Sequence, residues 1–153
     1  MITQKTKYAL KALAVLANQY RGAGASLRIE EIAQKSETPK RFLEHILLDL
    51  KRAGMIGSKR GREGGYVLVK EPKSIAVSEV LRLVDGPIAP FACLSRRAYR
   101  RCDDCKNEET CMIRSVFGDV FSAYLLLIES ITLADLMHNP AVVELAGDIR
   151  YKA

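Results

Sequence analysis

Residues 29–70 read IEEIAQKSETPKRFLEHILLDLKRAGMIGSKRGREGGYVLVK. Ile29, Ile32 and Ala33 recur at helical spacing, with Glu30 and Glu31 in the first turn, where the helix dipole favours acids. Ser36-Glu37-Thr38-Pro39 breaks that pattern, and Thr38 as N-cap with Pro39 at the first helical position is expected to open a second helix running to about Ala53. Leu43, Ile46, Leu47 and Leu50 form its apolar stripe, and Gly54 can supply the left-handed residue that ends it. The opposite face carries Lys40, Arg41, Glu44, His45 and Arg52. After Met55 the period becomes that of strands. Ile56 to Lys59 and Tyr66 to Lys70 flank a basic, glycine-rich tip, Arg60-Gly61-Arg62-Glu63-Gly64-Gly65, which reads as a hairpin.

On the N-terminal side, Tyr8, Leu10, Leu13, Leu16 and Ala17 predict a helix over Thr3 to Tyr20, ended by Gly22 and Gly24. On the C-terminal side, Ser78 to Val84 predicts a short helix that Asp85, Gly86, Pro87 and Pro90 terminate. A polar loop with Cys93, Cys102 and Cys105 follows, to about Thr110, and Cys111 stands at its end. Ile113, Val116, Phe117, Val120, Phe121, Tyr124, Leu127 and Ile128 then place a wide apolar stripe on one long helix between Cys111 and Ser130. Thr132 with Asp135 resembles a capping box opening a last short helix. The expected fold is mainly α with a small β-hairpin wing, a winged helix-turn-helix plus a long dimerisation helix. Its expected units are a DNA-binding head over 1–86, a cysteine-rich cofactor loop over 87–110, the dimerisation helix and short following helix over 111–136, and a C-terminal tail over 137–153.

The composition is that of a globular chain, 48% hydrophobic and 27% charged over 153 residues. The net charge of +6 is uneven: residues 1–86 carry 16 Lys/Arg against 9 Asp/Glu, and residues 87–153 carry 8 against 9. A basic head on a neutral scaffold suits a polyanion, because phosphate neutralisation supplies much of nucleic-acid affinity. The order helix, helix, turn, helix, basic hairpin puts the third helix in the major groove and the hairpin on the flanking backbone. Thr38, Lys40, Arg41 and His45 are the candidate groove contacts, with Arg41 suited to a guanine edge. Lys59, Arg60 and Arg62 are the candidate phosphate or minor-groove contacts of the wing. The plainer alternative is a solvated basic surface.

Other classes find little support. The tip glycines lack the Gly-Lys-Ser/Thr of a phosphate loop, and there is no nucleophile elbow or metalloprotease helix, so an enzyme is not expected. His45 and His138 are the only histidines. The uncharged run Val120 to Ile128 is too short to cross a bilayer, and the charged start of the chain does not read as a secretory signal, so a cytoplasmic protein without a membrane role is expected.

In a reducing compartment Cys93-x8-Cys102-x2-Cys105-x5-Cys111 reads as ligands or redox thiols rather than as disulfides. Thiolates are soft donors that suit iron-sulfur clusters or zinc. Arg96, Arg97, Arg100, Arg101 and Lys106 surround them and are expected to lower their pKa. Residue chemistry alone leaves a cluster, a closed zinc site and a metal-free switch between Cys102 and Cys105 all open.

Tyr8-Ala9-Leu10, Ile32-Ala33, Phe42-Leu43-Glu44, Leu50-Lys51-Arg52-Ala53-Gly54, Arg60-Gly61-Arg62-Glu63-Gly64-Gly65-Tyr66 and Ile75-Ala76-Val77, followed by a cysteine loop before a long helix, resemble the Rrf2 family of bacterial regulators, its IscR, NsrR and RirA types included. The resemblance covers roughly residues 1–136. It implies a homodimer crossing its long helices on a roughly palindromic double-stranded operator, with the cluster state altering DNA affinity. Cluster-bearing members use three cysteines, which the resemblance matches to Cys93, Cys105 and Cys111; Cys102 is an addition to that pattern. Arg114 stands where some members have a histidine ligand, and Lys7 and Tyr8 where others place an acid. The expected metal site is therefore Cys93, Cys102, Cys105 and Cys111 around a 2Fe-2S or 4Fe-4S cluster. The alternative is a zinc-stabilised DNA-binding or adaptor protein.

Overall fold

The computed structural model of the chain describes residues 2–21 and 25–138. Six α-helices and one hairpin follow in the order α1 (Gln4–Arg21), α2 (Ile29–Lys35), α3 (Lys40–Arg52), β1 (Ile56–Lys59), β2 (Gly65–Leu68), α4 (Val77–Asp85), α5 (Met112–Ser130) and α6 (Leu133–His138). Short 3-10 turns lie at Pro72–Ser74 and Ala92–Leu94. The expected helix terminators Gly22 and Gly24 and the tail beyond His138 lie outside the described residues.

The head is organised by the stripe of α3. Leu43, Ile46, Leu47 and Leu50 are fully buried against Ala9, Ala12, Leu13 and Leu16 of α1 and Ile32 of α2. Filling this space with branched side chains is what holds the three helices together, each such side chain contributing about 1.5–3 kcal/mol. Both ends of the turn-and-helix unit are closed by backbone geometry. At the end of α2, the amide of Glu37 donates to Gln34 and that of Thr38 to Ala33, with Glu37 left-handed at φ 50°. At the end of α3, Gly54 (φ 69°) does the same, its amide donating to Lys51 and that of Met55 to Leu50. The expected Thr38 cap is corrected: Pro39 is the N-cap, Lys40 is the first helical residue, and the Thr38 hydroxyl donates to the Ser36 carbonyl inside the turn.

The hairpin pairs antiparallel, Ile56 opposite Leu68 and Lys59 opposite Gly65. Leu27, just before α2, joins it by two hydrogen bonds with Tyr66, of 3.0 and 2.7 Å. Gly65 is needed for that junction: at φ 154° a β-carbon would lie 2.4 Å from the Leu27 carbonyl oxygen. The other tip glycines have different reasons to be glycine. Gly61, like Gly65, adopts positive φ, whereas Gly64 answers a close approach of the Lys59 and Gly61 carbonyls instead.

Past Gly86 the chain leaves the head, forms the cysteine loop and returns along α5. The helix α6, which follows α5 in the chain, makes its contacts on the head. Ile131 and Leu133 exchange backbone hydrogen bonds with Val77 and Ile75, and Leu133 enters the main core. Thr132 and Asp135 form the expected reciprocal cap, with amide-to-side-chain distances of 2.8 and 3.3 Å. The helix α5 touches its own chain chiefly through α4 and the Ala92–Leu94 turn. Only Leu125 of α5 is buried.

Candidate nucleic-acid interface and cysteine centre

The first candidate site is the exposed side of the helix-turn-helix and wing. Lys40, Arg41, Glu44 and His45 all project from the first turns of α3 into solvent. The Lys40 ammonium is bonded to the Glu30 carboxylate at 2.5 Å, which raises the lysine pKa and lowers that of the glutamate. The Arg41 guanidinium stacks on Phe42, 4.8 Å from the ring centroid, and Phe42 in turn meets Tyr8 of α1 at 5.7 Å. Thr38 differs from the other expected contacts, being only 3% exposed.

The wing residues Lys59, Arg60 and Arg62 line one cleft of about 630 Å³ with Arg28 and Glu31. The sequence reading passes over Arg28, which precedes α2. Its guanidinium donates to the Arg62 carbonyl at 2.8 Å, and the Ser26 hydroxyl donates to the Glu63 carbonyl, so this short segment braces the wing tip. A basic side chain immediately before the second helix of such a head is the signal that identifies it. Glu30 holds Lys40 while Glu31 lines the wing cleft, which places the first turn of α2 between the two basic groups.

The second candidate site is the cysteine loop. All four thiols are free, Cys93 buried and the others partly exposed. They form a contiguous chain of interactions. The Cys102 thiol is pushed up by its hydrogen bond to Cys93, by burial and by the nearby Cys93, Asp104 and Cys105. The Cys105 thiol is pushed up by burial and by Cys111 beside it. At Cys102 and Cys105 the net shift is thus upward, against the expectation of lowered values, although the Arg101 charge does pull Cys105 downward. Arg96, Arg97 and Arg100 face solvent, and the Arg101 guanidinium is bonded to the Cys105 and Lys106 carbonyls at 2.9 Å each. Such a set favours deprotonation only when a cation or cationic cluster is shared among them. The donor chemistry thus fits an iron-sulfur group or zinc, although no three His, Cys, Asp or Glu side chains among the described residues stand together as a site for one metal ion.

The loop is seated on α5. The Arg114 amide donates to Cys111 Sγ at 3.4 Å as an N-terminal cap, and Leu94 packs 3.6 Å from where Gly118 would carry a β-carbon. Phe91 and Phe117 meet edge to face at 5.3 Å. At the other end of the helix, Arg82 of α4 bonds Glu129 of α5. The Rrf2 family pattern, described as iron-dependent transcriptional regulator, matches residues 2–139. The chain belongs to the Rrf2 family.

Membership makes it a DNA-binding transcriptional regulator, and the family and its relatives are regulators rather than enzymes. The chain is 59% identical to an Rrf2-like HTH-type transcriptional regulator of Rhodobacter capsulatus over 92% of its length and 96% of the relative's. It is 26% identical to the HTH-type transcriptional regulator IscR of Escherichia coli, over 95% and 85% of the two chains. Among solved structures it is similar to CymR, the global cysteine regulator of B. subtilis, with TM-score 0.72 and 28% identity over 90% of this chain and 95% of that one. These agree with the winged-helix fold expected from the sequence. In this Rrf2 chain no described helix is long and apolar enough to cross a membrane.

Proposed function

We propose that this Rrf2 regulator is a homodimer whose binding to a roughly palindromic operator is controlled by an iron-sulfur cluster held by Cys93, Cys102, Cys105 and Cys111. The observation that carries the reading is the gathering of four unpaired thiols in one loop, seated on the N-terminus of α5, in a family described as iron-dependent. A bound cluster would supply redox and nitric-oxide-sensitive chemistry there. The protein's own part is to hold the four sulfurs and to link the loop to the head, which it does through α5 and the Arg82–Glu129 bond. Lys40, Arg41 and His45 are the proposed groove contacts, with Thr38 shaping the turn that presents them. Lys59, Arg60 and Arg62 are the proposed backbone contacts. A partner of this kind places the protein in the cytoplasm.

Dimerisation is supported by α5. Val116, Val120 and Leu127 are 61, 64 and 67% exposed, and Met112, Ile113 and Leu126 are also uncovered. A contiguous apolar face of this size is rarely left to water. A second copy of the same helix is the partner that a two-fold operator calls for.

Anaerobically purified protein, assayed for iron, zinc and acid-labile sulfide per chain, tests the cofactor. Matching iron and sulfide with visible absorbance are expected. Stoichiometric zinc without sulfide, persisting through reconstitution, would replace the cluster with the zinc alternative.

A further inference from the structure

Tyr99, Glu108 and Arg114 come from the two arms of the cysteine loop and the first turn of α5, and one carboxylate joins them. The Tyr99 hydroxyl donates to Glu108 Oε1 at 2.7 Å, and the Arg114 guanidinium donates to Glu108 Oε2 at 2.6 Å. The Glu108 and Arg114 side chains are 22 and 32% exposed, whereas Glu37 in the surface pair with Lys11 is 86% exposed. The Arg114–Glu108 pair is therefore less screened than an ordinary surface ion pair. Arg114 also stands between the ends of the thiol set: its amide caps Cys111, and its charge interacts with Cys93.

We propose that Tyr99, Glu108 and Arg114 form a bracket that shapes the cysteine loop before any cofactor binds and sets a fixed cation beside the sulfurs. Joining residue 99 to residue 114 closes the segment that carries Cys102, Cys105 and Cys111, so three of the four sulfurs are partly ordered in advance. Preorganised outer partners of this kind commonly decide metal affinity as much as the ligands do. Glu108, engaged by two donors, acts as a positioning residue. The second half of the proposal rests on the cluster reading above. Net charge around a thiolate-held cluster tunes its potential, and the Arg114 cation favours the more negative, reduced state.

The test uses the full chain with Glu108→Gln, Arg114→Gln and Arg114→Lys. Amide exchange of the cofactor-free proteins reads the bracket. Exchange over residues 99–111 is expected to rise about fivefold or more in Glu108→Gln and Arg114→Gln while the head is unchanged. After anaerobic reconstitution with ferrous iron and sulfide, the midpoint potential is expected to fall in Arg114→Gln and to return towards wild type in Arg114→Lys. Unchanged loop exchange in both Gln variants would overturn the bracket. A wild-type potential in Arg114→Gln would overturn the role of the cation. If the wild-type chain itself takes up no iron and sulfide, the cluster reading fails along with the cation's role, and the exchange comparison still decides the bracket.

Discussion

At the scale of single residues, the head depends on a few positions where chemistry leaves no substitute. Gly65→Ala would drive a β-carbon into the Leu27 carbonyl and break the Leu27–Tyr66 pair, and is expected to cost about 2–4 kcal/mol from strain and lost hydrogen bonds. Urea unfolding of the variant checks this, and loss of wing binding should accompany it. Leu47→Ala should cost a comparable 2–5 kcal/mol by the cavity it leaves, roughly, in a fully buried stripe. On the DNA side the residues separate by role. Arg60→Ala should lower the slope of log K against log salt by about one, whereas Arg41→Ala should relax preference at one base pair by about tenfold. Titrations of specific and scrambled duplexes over a salt series distinguish the two. The exposed residues of this face were legible in the sequence because a helical stripe dictates its own opposite face. The hydrogen bond of Arg28 to the wing was not, because it joins residues 34 apart that no local period connects.

At the scale of elements, the regular periods were read to within a residue or two, α2 from Ile29 to Lys35 included. The second strand, expected over Tyr66 to Lys70, lies at Gly65–Leu68. The shifted start of α3, at Thr38, has a physical reason: a hydroxyl that could cap the helix is instead turned inward to the Ser36 carbonyl. The destination of α6 was not legible, since a six-residue helix shows no face strong enough to name its partner, and it is the backbone bonds at Ile75 and Val77 with the burial of Leu133 that hold it on the head. Its cap makes a pH prediction. Hydrogen bonds from the Thr132 hydroxyl and amide hold the Asp135 carboxyl below its usual range. Burial opposes ionisation of Asp85, but bonds from the Thr3 hydroxyl and amide outweigh it and lower that carboxyl too. Both groups therefore contribute stability that is present above the ordinary carboxylate pKa of about 4 and lost as pH falls through the lowered folded values. Unfolding followed from pH 7 downward should show Asp135→Asn destabilising at neutral pH, with the deficit shrinking as pH falls through the lowered folded value. For α5, the proposed dimer predicts that the wild-type chain sediments as a dimer and that Val120→Glu with Leu127→Glu sediments as a monomer while the far-ultraviolet signal of the head persists.

At the scale of the whole molecule, a basic head and a thiol-bearing loop are joined by one helix that touches both. The charge asymmetry and the cysteine spacing announced the two parts in the sequence. The coupling between them did not, because it rests on Arg82 meeting Glu129 and Phe91 meeting Phe117 across long separations. In the proposed mechanism, a change in loop geometry would act on α5, and through α4 on α3. Such control requires two states of the protein that differ in DNA affinity. The most direct measurement is fluorescence anisotropy on a duplex selected from a randomised pool, comparing cofactor-loaded, cofactor-free and Cys105→Ser protein at one salt concentration. Affinities of the loaded and cofactor-free forms that differ by about tenfold or more, with Cys105→Ser behaving as the cofactor-free form throughout, are the predicted result. Equal affinity of the loaded and cofactor-free forms for that duplex would contradict control of DNA binding by the cysteine centre.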